Sequence, residues 1–330
     1  MSEHATLQFA AVASDTLINL PSRWEMIKTM PPVGMLVGVS SLLCAVLAIA
    51  KPGIRANVMN RLAVGLTLAG SCFALLYVGG LPFCIAVAVV AWLATTELTR
   101  LLHLRPFAAF DLIAHLASVL IVLEAGFIAR RLDSSLLGMA LLDSSVLLMF
   151  MAVVIVPILV GRFQSMPMFE AKSILTILLT GWCAAHTVML RSLDNGFAAT
   201  IFLVLCVAAN DIGAFVGGNT FGHHKLSEKI SPGKTWEGFV IGSLCSLIVG
   251  INCASMLQLD IPLAVSMAVI VSILAPCGDL TVSVMKRDAG VKDAGTLLAG
   301  HGGVLDRVGS LLLVSPVFHY LYSLIINSYK

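Results

Sequence analysis

Residues 261–276 read IPLAVSMAVIVSILAP and residues 311–326 read LLLVSPVFHYLYSLII; between them lies the polar stretch 277–310, CGDLTVSVMKRDAGVKDAGTLLAGHGGVLDRVGS. Each apolar run, with a few flanking residues, reaches the roughly 20 residues a helix needs to cross hydrocarbon. Two membrane spans joined by a charged connection is the reading that decides the fold. That connection carries Asp279, Asp293 and Asp306 beside Lys286, Arg287, Lys292 and Arg307, with glycines at 290, 295, 300, 302, 303 and 309. Glycine lets a backbone turn tightly and approach a ligand closely. Carboxylates can hold hard divalent cations that bridge phosphate oxygens, while Lys and Arg neutralise the remaining charge. The set suits phosphate chemistry at a membrane surface.

Composition extends the membrane reading to the whole chain. Of 330 residues 58% are hydrophobic and 12% charged, with a mean hydropathy of +0.98; an ordinary soluble domain carries about a quarter charged residues. The chain is expected to be an all-α polytopic membrane protein with nine or ten transmembrane helices. Candidate spans are 32–50, 61–79, 81–98, 108–129, 138–160, 173–191, 196–218, 238–258, 262–284 and 308–327, the second and third meeting at Gly79-Gly80. Residues 1–31 read as a polar, interfacial lead-in without an apolar core closing on a cleavage site. Residues 32–330 read as one membrane domain, with 200–325 carrying the chemistry. The eight cysteines fall in or at the ends of apolar runs without a CxxC pair, so buried free thiols are expected rather than a zinc site. A net charge of +2 gives no basis for a nucleic-acid partner.

The connections between candidate spans differ in charge. The odd-numbered ones hold fourteen Lys and Arg residues and the even-numbered ones three, Arg130, Arg131 and Arg191. By the positive-inside rule the odd connections face the cytosol. They include the stretch before residue 308 and the one before residue 238.

The latter belongs to a second constellation, residues 209–238, ANDIGAFVGGNTFGHHKLSEKISPGKTWEG. Asp211 lies inside an apolar run, where an ionisable residue is a functional candidate by default. Gly213, Gly217, Gly218 and Gly222 suit close helix contact or a helix breaking near its end. His223, His224, Lys225, Lys229 and Lys234 form a basic edge suited to phosphate. Gly233-Lys234-Thr235 is no P-loop, since Glu228 stands where that motif needs its first glycine.

Ser283, Lys286-Arg287, Lys292-Asp293, Gly295, Leu298, His301-Gly302-Gly303 and Asp306-Arg307 stand in the register of a known signature. Here the chain resembles the phosphatidate cytidylyltransferases, or CDP-diacylglycerol synthases. Asp211, Gly213-Ala214-Phe215, Gly218, Phe221-Gly222, Lys225-Leu226, Ile230-Ser231-Pro232 and Lys234-Thr235-Trp236-Glu237-Gly238 match a second segment of that family. Four positions depart: Ala299 for Pro, Gly309 for the closing Asp, Ile212 for a hydroxyl residue and Gly233 for a larger one.

The resemblance implies transfer of a cytidylyl group from CTP to phosphatidate in the bilayer, releasing pyrophosphate, in a bacterial inner membrane. It implies Mg²⁺ on Asp279 and Asp306, with a second, monovalent cation left open. Lys286 and Asp293 join these two as catalytic residues. Asp211, Lys225, Lys234, Ser283, Arg287, Lys292, His301 and Arg307 are expected to contact substrate. A homodimer stays open. A cytidylyltransferase for another lipid phosphate is the alternative that Gly309 raises, and a transporter of a phosphorylated solute is a more distant one. Asp111 with His115, Glu97 and Glu124 read as structural.

Overall fold

The computed structural model describes residues 18–23, 25–31, 33–34, 69–104, 108–131, 136–161, 164–295 and 302–329. Nearly all of the candidate span 32–50, the first half of 61–79, and residues 296–301 with Leu298, Ala299 and His301 lie outside them. From residue 69 onward the helices in chain order are α1 (Ala69–Val78), α2 (Gly80–Leu101), α3 (Ala108–Arg131), α4 (Leu136–Val160) and α5 (Met166–Ser192). There follow α6 (Gly196–Phe221), α7 (Trp236–Asn252), α8 (Ala254–Leu257), α9 (Ile261–Asp288) and α10 (Leu305–Tyr329). Seven of these helices are long and apolar enough to cross a membrane. In hydrocarbon a backbone must satisfy its own polar groups, which leaves helices as the spanning element for such runs. The protein is an all-α polytopic membrane protein, relieved among the described residues only by a hairpin of β1 (Lys225–Ser227) and β2 (Ser231–Thr235).

Gly79, with φ of +60°, separates α1 from α2 as the Gly-Gly pair predicts. Arg191 closes this joint from afar, donating from Nε to the Leu76 carbonyl at 2.7 Å and from Nη2 to the Asn19 carbonyl at 2.6 Å. It is buried. One of the three cations in the even connections therefore serves packing.

The expected span 238–258 is divided: α7 is 17 residues, and a break at Cys253 separates it from the four-residue α8. Glycines on α6 and α7 bring the two backbones together. A β-carbon on Gly238 would stand 2.6 Å from the Ala214 carbonyl oxygen, and one on Gly242 2.6 Å from that of Asn210. Close approach through small residues is a common way for membrane helices to associate. Of the two roles open to the α6 glycines, Gly213 and Gly217 take close contact, and the helix runs unbroken to Phe221.

A proline links α6 to α9. Pro276 lacks the N–H that would bond the Ser272 carbonyl one turn earlier, and the buried Asn210 side chain donates to that carbonyl instead, at 3.2 Å. The polar residue beside Asp211 thus repairs a neighbouring helix. The described cysteines are free thiols, as their spacing predicts, but Cys72 and Cys277 are exposed and Cys245 is half-buried rather than buried.

Candidate active site

The 223–235 connection, read from sequence as a loop, pairs Lys225 with Thr235 and Ser227 with Ser231 as the β1–β2 hairpin. Thr235 then caps α7, its Oγ1 accepting from the Gly238 N–H at 3.1 Å. This fixes the entry of α7 and folds Lys234 back over the second half of α9. Lys234 Nζ stands 2.6 Å from Asp279 Oδ2 and 3.5 Å from the Pro276 carbonyl oxygen.

α6, the hairpin, the start of α7, α9 and the first two turns of α10 line a cavity of about 460 Å³. Asp211, Lys234, Asp279, Asp306, Arg307 and Ser310 give its polar wall, while Phe215, Leu226 and Phe239 give an apolar one. Residues nearly a hundred positions apart in sequence thus meet at one end of the helices. A cavity with an apolar side and a few convergent charges is what an amphiphilic ligand needs.

Lys286 and Asp306 form a second pair behind this wall, Nζ to Oδ1 at 2.6 Å. Asp306 Oδ2 also accepts from the Ala294 N–H at 2.9 Å and the Gly303 N–H at 3.0 Å. A carboxylate offers about four acceptor sites, so among the described residues Asp306 has one left on Oδ1. Gly302, with φ of +82°, occupies the left-handed region that lets the chain turn beside this carboxylate.

Ser283 is buried on α9 one turn beyond Asp279. Lys225, Lys292 and Asp293 are exposed and stand outside the cavity wall. Arg287 braces the hairpin, donating from Nε to the Ile230 carbonyl at 3.0 Å and from Nη1 to the Val291 carbonyl at 3.2 Å. His224 leaves the basic edge and meets Glu237 Oε1 at 2.6 Å. His115 sits between the Asp111 carbonyl oxygen, 2.8 Å away, and Thr96 Oγ1, 3.1 Å away.

Gly309 is buried where α9 crosses α10. A β-carbon on Gly278 would stand 2.5 Å from the Gly309 carbonyl oxygen, and one on Gly309 2.8 Å from Val282 Cγ2. Glu97, read from sequence as structural, lies on α2 yet accepts hydrogen bonds from Val304 and Leu305 beside the site. Its one sequence signal is that it is the sole carboxylate of an apolar helix.

Among the described residues no three carboxylate, imidazole or thiol groups converge as a ready-made metal cage. Mg²⁺ is commonly bound by one or two carboxylates, with water and substrate phosphates completing the shell. The oxygen donors Asp211 and Asp279 and the spare site on Asp306 fit that pattern.

Comparison with known proteins agrees with this architecture. A phosphatidate cytidylyltransferase of Bacillus subtilis is 30% identical over 81% of this chain and 98% of its own length. One of Synechocystis is 32% identical over 80% of this chain and 94% of its own. An uncharacterised Escherichia coli protein, YnbB, is 39% identical over 42% of this chain and 47% of its own. The model of the cytidylyltransferase family matches residues 59–325, across both constellations and α2, and this chain belongs to that family.

Proposed function

We propose that this protein transfers the cytidylyl group of CTP to phosphatidate, forming CDP-diacylglycerol and pyrophosphate. The observation that carries the reading is the cavity itself. Carboxylates and cations share it with an apolar wall at the end of membrane-spanning helices. A nucleotide and a lipid headgroup can meet there while the acyl chains stay in hydrocarbon.

A phosphate oxygen of the lipid forms the new bond to the α-phosphorus of CTP, and the bond from that phosphorus to the bridging oxygen of the departing pyrophosphate breaks. The nucleophile is already anionic, so the chain needs to supply no strong base. Its task is to bring two polyanions together and to stabilise charge on the leaving group. Lys234 and Arg307 face the cavity and bind phosphate oxygens. Lys286 holds Asp306 in place. Lys225, Arg287 and Lys292 extend the positive field that draws the nucleotide in, and His301 supplies a hydrogen bond to phosphate. Asp279 and Asp306, with Asp211 facing the same space, would hold Mg²⁺, which would supply neutralisation of phosphate charge. The site opens to the cytosol of a bacterial inner membrane, as the bias of Lys and Arg between connections supports.

The test is pyrophosphate release by purified protein in mixed micelles with CTP, phosphatidate and Mg²⁺. Release that depends on both lipid and Mg²⁺ is expected. A well-folded protein that releases none with phosphatidate but does so with another lipid phosphate would move the reading to that acceptor.

A further inference from the structure

Glu97 lies one turn before the end of α2, far in sequence from either constellation, and is 6% exposed. Its Oε1 accepts from the Val304 N–H at 3.0 Å and its Oε2 from the Leu305 N–H at 2.8 Å. The start of a helix presents N–H groups without intrahelical partners and favours negative charge. A helix usually takes its cap from a residue beside it. Here positions 302 and 303 are glycine, and the acceptor arrives from 207 residues away. Among the described residues no cation forms an ion pair with Glu97.

Gly295 and Gly303 press on the same carboxylate: a β-carbon at either would collide with it. Asp306 meanwhile accepts from Ala294 and Gly303. Between them, the two carboxylates take the N–H groups of residues 294, 303, 304 and 305. Both flanks of the segment between Ala294 and Gly303 are thereby tied down, and Asp306 and Arg307 follow directly in the first turn of α10.

We infer that Glu97 is a positioning residue for the transfer reaction: through the Val304 and Leu305 N–H groups it sets where Asp306 and Arg307 stand at the cavity. The inference rests on the function proposed above. Glu97 touches no reacting atom. It holds the frame on which two cavity residues are mounted, so its loss lowers turnover more than substrate affinity.

Glutamine at 97 keeps one acceptor but turns an N–H₂ toward a backbone N–H, breaking half of the clamp. Aspartate keeps both acceptors on a shorter arm. For Glu97→Gln, kcat is expected to fall on the order of 10- to 100-fold, the range seen when a supporting hydrogen-bond partner is removed. KM for CTP and for phosphatidate should stay within about threefold. Glu97→Asp should regain part of the lost kcat. Gly295→Ala, which pushes on the carboxylate from its other side, should reproduce the Gln effect. Hydrogen exchange at the Val304 and Leu305 amides should quicken in Glu97→Gln, with a modest fall in melting temperature and the protein still folded in detergent.

Unchanged kcat and unchanged exchange in Glu97→Gln would overturn the inference. So would equal losses in Gln and Asp variants that track loss of folded protein, which would make Glu97 merely structural. If wild-type protein releases no pyrophosphate from CTP and phosphatidate, the proposed function fails by itself. The exchange arm then still decides whether Glu97 holds the start of α10.

Discussion

Lys234–Asp279 and Lys286–Asp306 are both 2.6 Å long, yet they occupy different surroundings. The side chains of the first are 26% and 36% exposed, at the cavity wall between a hairpin and a helix. Those of the second are 11% and 12% exposed, and the carboxylate also holds two backbone N–H groups. Solvent screens an exposed pair to about 0–1 kcal/mol, so the first adds little to stability and its partners can part to meet a ligand. Breaking a buried pair on one side costs about 3–5 kcal/mol because it strands a charge. The same chemical pair is thus accessible at the cavity in one place and locked into loop architecture in the other.

The sharpest way to break this contrast is Asp279→Asn. Pyrophosphate release should fall on the order of 100- to 1,000-fold, the cost of removing one preorganised charge from a site of this kind. The melting temperature in detergent should hardly move. A large fall in melting temperature would mean that the open pair is architectural after all.

Asp306→Asn should lose activity on a similar or smaller scale but also lose stability. The asparagine N–H₂ would face the Ala294 and Gly303 N–H groups, and Lys286 would be left buried without its counter-charge. Thermal unfolding should show destabilisation of about 3 kcal/mol, partly recovered when Lys286→Met is added. Equal melting temperatures for Asp279→Asn and Asp306→Asn would erase the distinction between the pairs.

The spans were legible because long apolar runs leave the backbone little choice but helix. The charged stretches were legible for the complementary reason, that ionisable residues are rare and costly in such a chain. What could not be read is where side chains spend their hydrogen bonds across the fold. Pro276 announces an unpaired carbonyl, but nothing in sequence says that Asn210 supplies the donor. Arg191 counts toward orientation until it is seen holding the end of α1. The hairpin's strands, three and five residues long, are too short to show alternation. Glu97 reaches a helix start 207 residues away, and no local spacing encodes such a contact.

Gly309 sharpens the comparison from the side of packing. Restoring the carboxylate that the resemblance leads one to expect places a side chain against Val282 at the α9–α10 crossing. Gly309→Asp is expected to destabilise by about 1–3 kcal/mol through overpacking and to raise activity not at all. Higher turnover in that variant would show that the crossing can open, and that the missing carboxylate had weakened the site.

Arg287 should give the smallest effect, and it decides what the outer cations do. Its guanidinium donates to the Ile230 and Val291 carbonyls, so it steadies the hairpin that carries Lys234. An exposed hydrogen bond of this kind contributes about 0.5–1.5 kcal/mol at most. Arg287→Ala should therefore raise KM for CTP by about twofold to tenfold, the range those energies convert to, with kcat nearly intact. Arg287→Lys should do no better, since a lysine cannot reproduce two donors in a fixed fork. A direct phosphate contact would read differently: Lys would restore much of the loss as a point charge, and kcat would fall in the Ala variant. The Lys variant thus separates a brace from a phosphate ligand at a position that the signature alone leaves ambiguous.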